Sequence, residues 1–354
     1  MKRHDDLFEG LVAFDNLLAC ARRAALGKRH RPEVSDFLVR LEANVLALQR
    51  ELQDGAWRPG RFREFLVREP KPRLISAAPF RDRVVHHALV SVLEPIYEKS
   101  FIFHSYACRK DKGTHAALRQ YRKWIRSSKY FLKMDVRKFF PSVDHEILMK
   151  TLARKISDRR VLDLARRIVD GSNRQETVDL VFAGDDPAVA AARRRGLPIG
   201  NQTSQFFANM YLDPLDQFVT RTLGFGRYLR YVDDLVVLGG SAEEMHDARR
   251  RIEEFGATLR LRFHERKGFV APVSEGLRLL GYRVTPDSVR LPRESVLRAR
   301  RRLRRLSSAC TAGSLPLERV TASVQSWIGH ASHADTWRLR ERLFSEVRIT
   351  CPAG

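Results

Sequence analysis

Three aspartates are the residues of this sequence best suited to chemistry. Asp233 and Asp234 are adjacent between two short apolar runs, and Asp135 lies inside an apolar run earlier in the chain. Asp is a common turn residue, so the adjacent pair alone also has a structural explanation, but a carboxylate inside an apolar strand is costly without a cation beside it. Clustered carboxylates bind hard cations such as Mg²⁺, and two such ions about 4 Å apart support in-line phosphoryl transfer. The pattern therefore predicts a metal-dependent phosphoryl-transfer site.

Short strands are predicted to hold these aspartates. Residues 129–136 alternate with the period of a strand, which puts Phe131, Lys133 and Asp135 on one face. Residues 227–231 and 235–238 are two further strand-like runs, and the three residues between them are typical of a hairpin turn. We therefore expect Asp233 and Asp234 at a hairpin tip and Asp135 on a separate strand.

Helices are predicted around these strands. Apolar residues spaced three and four apart indicate helices at 34–52 and 82–97. Pro214 lies inside a predicted helix from 203 to 223 and is expected to kink or split it. The remaining predictions are short strands at 61–79 and 268–285, helices at 144–170 and 241–260, an irregular segment at 171–198 and a separate helical unit at 290–354.

The charge of the chain points to a polyanionic partner. The 354 residues include 65 Lys and Arg against 42 Asp and Glu, a formal net charge of +23. An apolar fraction of 44% with 30% charged residues is that of a globular protein of two or three subdomains, which excludes intrinsic disorder and collagen-like chains. Nucleic acid is the first partner to consider, ahead of a membrane, but charge alone does not separate a polymerase from a nuclease or a coat protein.

Cysteine usage and the N-terminus indicate a cytoplasmic protein. The four cysteines are scattered without metal-ligand spacing, which argues against a zinc site and against a disulfide framework. The first residues carry charge where a signal peptide needs an apolar run. No stretch reaches the ~18 apolar residues that a membrane span requires, so we expect no membrane partner.

The order of three motifs is specific. The chain reads FLKMDVRKFFPSVDH, then LPIGNQTSQFFANMYL, then RYVDDLVVL, which resembles the palm motifs of the reverse transcriptases in their usual order. Tyr231 to Asp234 resembles the family's YxDD box, and Asp135 matches its first catalytic aspartate. Finger-like motifs at 68–89 and 105–118, a lysine-bearing motif at 261–269 and a strand at 276–284 similar to the primer grip extend the resemblance over about 34–345.

The resemblance implies an α+β right-hand polymerase with an antiparallel palm sheet and a helical thumb. Its expected parts are an N-terminal helical extension at 1–60, fingers at 61–128, a palm at 129–285 that includes a helical finger and palm segment at 144–198, and a thumb at 286–354.

The same resemblance assigns roles at the metal site. Asp135 and Asp233 would bridge two Mg²⁺ ions, with Mn²⁺ as an alternative, and Asp234 would be a further ligand or an electrostatic support. The carbonyl of Val136 would complete the nucleotide-side metal, and Lys267 would protonate the departing pyrophosphate. Catalysis would then consist mainly of positioning and electrostatic stabilisation.

Basic residues and one ring are expected around the incoming nucleotide. Lys71 and Arg73 would bind the triphosphate, and Arg109 and Lys110 would support the nucleotide pocket or the template; for each, an ordinary surface charge is the alternative. Phe140 matches the position of a steric gate that excludes a ribose 2′-hydroxyl. The alternative role, a plain core phenylalanine, suits its neighbour Phe139 better.

One box distinguishes a sub-class. Most reverse transcriptases carry Gln-Gly where this chain has Ile199 and Gly200, and typically a proline where it has Gln205. The pattern IGxxxSQ resembles the reverse transcriptases of diversity-generating retroelements, as does SWIGHASHADTWRLR near the C-terminus. Isoleucine cannot make the hydrogen bonds of glutamine, so we expect low-fidelity synthesis. By resemblance, the errors fall at template adenines and the product is mutagenised cDNA that diversifies a target gene.

The C-terminal segment supplies basic residues for a template–primer duplex. Residues 290–354 hold 13 Arg against five acids, and an apolar stripe on the predicted helix 293–309 leaves arginines on its other sides. Such residues are expected to contact phosphates without sequence preference; they are Arg298, Arg301, Arg302 and Arg305.

The implied partners are template RNA, a primer or its cDNA, dNTPs and a small accessory variability protein. Two alternatives stay open: a retron-type or phage-defence reverse transcriptase, and, from another class, a non-catalytic basic RNA-binding protein.

Overall fold

The structure is a computed structural model that describes residues 3–68, 72–173, 176, 181–182 and 185–347. Helices and small sheets alternate along the chain, which makes it an α+β protein. The chain forms two compact units. Unit 1 comprises Met1–Cys108, Lys133–Leu235 and Asp247–Gly268, and unit 2 comprises Arg109–Leu132, Val236–His246 and Phe269–Gly354.

Four helices begin unit 1. They are α1 (Phe8–Val12), α2 (Phe14–Ala24), α3 (Pro32–Val39) and α4 (Leu41–Gln53). The single helix predicted at 34–52 is therefore two, because Arg40 leaves the helical conformation with φ −119° and ψ 45°. The periodic apolar residues nevertheless form the buried face of these helices, with Val34, Val45 and Leu48 in the core.

A hairpin and a long helix follow. Strands β1 (Arg63–Val67) and β2 (Arg73–Ala77) pair antiparallel, with Phe65 opposite Ile75. Helix α5 (Phe80–Glu98) contains the predicted 82–97 and packs against α2. Helix α6 (Thr114–Ile125) belongs to unit 2.

The segment after the first predicted strand is more broken than its sequence indicates. It contains β3 (Tyr130–Asp135), α7 (Phe139–Ser142), α8 (His145–Ala153), α9 (Arg159–Asp170) and α10 (Pro187–Ala192). The one helix predicted at 144–170 is two, because the Asp158 side chain caps α9 by accepting from Val161 N and also accepts from Leu7 N and Phe8 N. A capping residue takes a non-helical conformation, so a helix ends before it.

Helix α11 (Gln202–Gln217) contains Pro214 and is continued by one π-helical segment, Phe218–Thr222. Of the two predicted outcomes, a kink or a split, the split does not occur, because α11 is continuous through Pro214. The residues that follow, Leu215 and Asp216, are fully buried, and their packing keeps the helix continuous although proline removes a backbone donor.

The sheet that carries the aspartates has the strand order β4-β5-β3-β6. Its other members are β4 (Tyr228–Tyr231), β5 (Asp234–Gly239) and β6 (Phe269–Pro272). Strands β4 and β5 form the predicted hairpin, and Val232 and Asp233 are its tip. Helix α12 (Ala242–Thr258) follows β5, and a three-stranded antiparallel sheet is formed by β7 (Leu277–Leu279), β8 (Tyr282–Val284) and β9 (Val289–Arg290).

Three helices form the last part of unit 2: α13 (Arg293–Thr311), α14 (Leu317–Ala331) and α15 (Trp337–Glu346). Leu303, Leu343 and Val347 are buried together, with Trp327 packed against them. The segment is helical as predicted, but it is not a unit by itself, because unit 2 also contains Arg109–Leu132, Val236–His246 and the residues from Phe269 onward.

The cysteines are not all free, because Cys310 is disulfide-bonded whereas Cys20 and Cys108 are free thiols. In the described part of the chain, no helix is both long and apolar enough to cross a membrane.

Candidate active site

The hairpin tip lies beside the end of β3. The backbone N–H of Val136 donates to the carbonyl of Asp233 across 3.1 Å. Val232 turns the chain with φ +56°, a conformation that a β-branched residue rarely adopts. The sheet therefore brings Asp135 next to Asp233 and Asp234, as the sequence predicts.

The other side of β3 is also paired. The carbonyl of Asp135 accepts from His264 N at 2.8 Å, and Arg137 N donates to the carbonyl of Arg262 at 2.7 Å. Lys267 follows His264 by three residues, so these bonds bring it close to the end of β3. The end of β3 is therefore held on both sides, which fixes its aspartate between the hairpin tip and the lysine-bearing turn.

Two lysines neutralise two of the three carboxylates. Lys267 Nζ lies 2.9 Å from Asp135 Oδ1 and donates a hydrogen bond to it. Lys133 Nζ lies 3.3 Å from Asp234 Oδ1, an ion pair that does not make a hydrogen bond. Within the described ranges, no three acidic, His or Cys side chains are close enough together to form a metal site as they stand.

The carboxyl of Asp233 is strongly perturbed. Burial, and then the charges of Asp234 and Asp135, raise its pKa from 3.8 to about 6, although the charge of Arg73 opposes the shift. Burial and like charges both disfavour an ionised carboxylate. Asp233 therefore stands in an environment that a bound cation would relieve.

The donor chemistry fits magnesium. Asp234 Oδ1 is buried and has no hydrogen-bond partner, and all the candidate ligands are oxygens, which Mg²⁺ prefers. Asp135, Asp233 and Asp234 would hold the metal with the carbonyl of Val136. When bound, it would supply a Lewis acid for a phosphoryl oxygen and for an attacking hydroxyl.

The predicted nucleotide-binding residues fall in different places. Arg73 begins β2 in unit 1 and is exposed, and its charge acts on Asp233. Lys71 lies outside the described residues. Arg109 and Lys110 lie in unit 2, in the segment before α6, with Lys110 exposed.

Residues 199–205, called the Ile199 box, are attached to β2. The carbonyl of Ile199 accepts from Ser76 N at 2.9 Å. Gly200 has φ +119°, and a Cβ at its position would stand 2.8 Å from Ile75 Cγ2. A side chain fits neither the conformation nor the space, so the close approach of box and strand requires glycine.

Buried Asn201 continues this attachment. Its Oδ1 accepts from Ala78 N at 3.1 Å and its Nδ2 donates to the carbonyl of Ser76 at 2.8 Å. Gln205, one helical turn further along α11, is exposed. The box is therefore a rigid connection between β2 and α11, with Ile199 half-buried in it.

The two phenylalanines after Asp135 differ as the sequence predicts. Phe139 is buried, with 2% of its surface exposed, whereas Phe140 is half-buried. The carbonyl of Phe140 accepts from Leu197 N at 2.9 Å, which ties it to the chain just before Ile199. Phe140 is thus the ring of the pair that retains an accessible surface.

The predicted duplex-binding arginines lie on α13 in unit 2, and all four are exposed: Arg298, Arg301, Arg302 and Arg305. Their neighbour Arg300 instead pairs with Glu346 at 2.7 Å. The predicted apolar stripe is buried at Ala299 and Leu303.

Sequence reasoning missed two cations near the aspartates. Lys133 shares a strand face with Asp135, and this alternation is the signal that could have identified it. Arg230 interrupts the apolar strand β4 and is completely buried, and a charged residue at such a position is itself a signal.

The chain matches known proteins over most of its length. The family model "Reverse transcriptase (RNA-dependent DNA polymerase)" matches residues 68–284. Protein YkfC of Escherichia coli (strain K12) is 25% identical in an alignment of 323 positions that covers 77% of this chain and 81% of YkfC. The group II intron-encoded protein LtrA of Lactococcus lactis subsp. cremoris is 24% identical over 182 residues, 50% of this chain and 28% of LtrA.

A plant protein gives a shorter match. Nuclear intron maturase 1, mitochondrial, of Arabidopsis thaliana is 31% identical over 116 residues, which are 32% of this chain and 16% of that protein. The chain thus spans most of YkfC but a small part of the intron-related proteins. The segment matched by the family model is more than half of the chain and includes all three aspartates with the strands that carry them. The chain therefore belongs to the reverse transcriptase family, the RNA-dependent DNA polymerases.

Proposed function

We propose that this chain copies a template RNA into DNA with two Mg²⁺ ions, or Mn²⁺, held by Asp135, Asp233 and Asp234. The observation that carries the proposal is the backbone bond from Val136 to Asp233, which brings the carboxylates to one place. Family membership implies the right-hand polymerase fold, and we assign fingers to 61–128, palm to 129–285 and thumb to 286–354, after a helical extension at 1–60.

The side chains around the aspartates divide the remaining work. Arg73 would bind the triphosphate of the incoming dNTP, since its guanidinium can clamp a phosphate through two hydrogen bonds. Lys267, whose ammonium lies 2.9 Å from Asp135 Oδ1, would protonate the departing pyrophosphate. Phe140 would exclude the ribose 2′-hydroxyl. Arg109 and Lys110 would support the template, and the α13 arginines would contact the duplex.

We further propose the diversity-generating type for this enzyme. The support is the Ile199 box, in which isoleucine replaces a side chain able to hydrogen-bond around the nucleotide. Contacts that strengthen only for a correct pair increase discrimination, and ~1.4 kcal/mol corresponds to tenfold in rate. The product would be adenine-mutagenised cDNA of a template-repeat RNA, made in the cytoplasm with a small accessory variability protein.

Incorporation of dNTPs on a primed RNA template tests the activity. We expect Mg²⁺-dependent extension by the unaltered chain and none by Asp233→Ala. The variant's thermal unfolding controls for its fold. Equal extension by the two proteins, or none by either, would contradict the proposal and favour a basic RNA-binding protein without catalysis.

The error spectrum tests the sub-class. We expect Ile199→Gln to lower misincorporation at template adenines by about tenfold, the effect of one discriminating contact. Ile199→Leu is the matched control because it keeps an apolar side chain of equal size. An unchanged spectrum in Ile199→Gln would overturn the low-fidelity proposal while leaving the polymerase activity intact.

The relatives' names offer a second candidate for the biological role. LtrA is intron-encoded, so copying of an intron RNA is an alternative, alongside retron-type or phage-defence synthesis. Neighbouring DNA decides among them. Two near-repeats that differ mainly at adenines would indicate the diversity-generating role. A flanking intron or defence locus without such repeats would contradict it.

A further inference from the structure

We propose that the buried pair Arg230–Asp216 is a positioning unit that sets the catalytic hairpin tip against the segment 104–107. The proposal rests on the proposed polymerase function, because it concerns how the aspartates of that site are held. Both residues lie in unit 1. Arg230 directly precedes the Tyr231–Asp234 box, and Asp216 lies outside the three quoted motifs.

The pair itself is fully desolvated. Arg230 and Asp216 have 0% of their side-chain surface exposed. Arg230 Nε donates to Asp216 Oδ1 at 2.8 Å, and Arg230 Nη2 donates to Oδ2 at 2.7 Å. The hydroxyl of Tyr228 donates to the same carboxylate at 2.7 Å. The guanidinium is therefore held in one orientation by a fork of charge-assisted hydrogen bonds.

The remaining nitrogen of this guanidinium, Nη1, reaches the hairpin tip. Arg230 Nη1 donates to the carbonyl of Val232 at 3.1 Å and to Asn209 Oδ1 at 3.1 Å. Val232 is the tip residue with φ +56°, a strained conformation for its type that needs support from its surroundings. The next residue along the chain is Asp233, so the bond acts on the peptide that orients a metal ligand.

The backbone of Arg230 holds a second segment. Its N–H donates to the carbonyl of His104 at 3.0 Å, and its carbonyl accepts from Tyr106 N at 2.9 Å. Asn209 Nδ2 donates to the carbonyl of Ala107 at 2.9 Å. Arg230 and its hydrogen-bond partner Asn209 thus connect the hairpin tip to residues 104–107.

A purely stabilising role explains these contacts less well. A buried ion pair is often no more stabilising than well-packed apolar residues of similar volume. What apolar residues cannot supply is a donor to the carbonyl of Val232. A lysine cannot supply it together with the fork to Asp216, because its ammonium is a single point on a flexible stem. The geometry requires arginine for positioning.

Three variants of the full chain separate positioning from folding. The triple variant Arg230→Met, Asp216→Leu and Tyr228→Phe replaces the charges with apolar groups. Arg230→Lys keeps the charge but loses the fork and one donor. Tyr228→Phe is the matched control, because it removes a bond to the same carboxylate without touching the hairpin tip.

The readouts are thermal unfolding, kcat and KM for dNTP on primed RNA, and Mn²⁺ affinity by electron paramagnetic resonance. We expect the triple variant and Arg230→Lys to fold and to lose at least about tenfold in kcat, since small displacements at reacting groups cost this much. The KM for dNTP should stay within about twofold, and Mn²⁺ binding should weaken. Tyr228→Phe should lose less in kcat than the triple variant or Arg230→Lys, because the bond from Arg230 to the carbonyl of Val232 remains.

Either folded variant with unaltered kcat and Mn²⁺ affinity would overturn the positioning role. If the triple variant does not fold, Arg230→Lys decides the question alone. If the unaltered chain incorporates no dNTP, the proposed function fails, but the Mn²⁺ affinities still test whether Arg230 positions Asp233.

Discussion

At the residue scale, the three aspartates differ in what neutralises them. Lys267 pairs with Asp135 and Lys133 pairs with Asp234, whereas the charge of Arg73 acts on Asp233. Burial and the charges of Asp234 and Asp135 raise the pKa of Asp233. A divalent cation at the hairpin tip would therefore act first on Asp233.

The raised pKa of Asp233 predicts a pH dependence. A carboxyl with a pKa of about 6 is protonated below that pH, and a neutral carboxyl binds a metal poorly. We expect dNTP incorporation to fall as the pH drops through about 6, and the midpoint to move lower as Mg²⁺ is increased, because metal and proton compete. Without metal, the same shift makes the folded chain relatively more stable below pH 6 than above it.

Single-turnover rates from about pH 5 to about pH 8 at two Mg²⁺ concentrations measure this dependence. Duplex binding at each pH is the control for loss of substrate. A midpoint that does not respond to Mg²⁺ would contradict the assignment of Asp233 as a metal ligand.

At the scale of elements, the attachment of the Ile199 box to β2 depends on glycine. We expect Gly200→Ala to destabilise the fold by about 1–3 kcal/mol, the usual cost of a strained backbone position. The reasons are the φ of +119° and the 2.8 Å approach to Ile75 Cγ2. Incorporation should fall as well, because β2 also carries Arg73. Chemical denaturation and primer extension measure the two effects.

Gly226→Ala is the matched control, because its Cβ would meet no atom within 4 Å and its φ is ordinary. Equal stability of Gly200→Ala and Gly226→Ala would show that the close approach is not required.

Helix α5 contains a buried histidine that predicts acid sensitivity. Burial, and then the charges of His87 and Arg83, lower the pKa of His86 from 6.5 to about 3. The unfolded chain therefore binds a proton that the folded chain does not, so stability is full above pH 6.5 and is lost as the pH falls toward 3. Between about pH 7.5 and about pH 5.5 the loss should be ~1 kcal/mol.

Urea unfolding of the unaltered chain and of His86→Gln at the two pH values measures this loss. The variant should lose less stability on acidification, whereas His30→Gln, at an exposed histidine, should behave like the unaltered chain. An equal loss in all three proteins would contradict the role of His86.

At the scale of the whole molecule, the net charge of +23 is expressed partly through exposed arginines on α13. We expect Arg301→Ala to weaken binding of an RNA–DNA duplex for all sequences and to reduce the salt slope of log K by about 1, because one phosphate contact is lost. Arg300→Ala should change the slope less, because Arg300 pairs with Glu346. Titrations at several salt concentrations decide, and equal slopes for the two variants would contradict the prediction.

The local patterns of the chain were enough to predict much of the fold. Alternation predicted β3 and the hairpin that carries Asp233, and the period of apolar residues predicted α5 and α13. These elements are readable because their own residues decide which face is buried. The helix breaks at Arg40 and Asp158 were not predicted. The break before Asp158 depends on the Asp158 side chain, which caps α9 and also accepts hydrogen bonds from Leu7 N and Phe8 N.

The sequence by itself determined the reaction class and the family, since the aspartates, their order and their neighbouring motifs are properties of the chain. Only the tertiary structure decided which charges accompany them. Lys133 and Lys267 hold two carboxylates, and Arg230 reaches Asp216 and the carbonyl of Val232. These contacts join residues that are distant in sequence or on different strands, and no local pattern specifies them, because a buried charge is tolerated only where folding brings its partner.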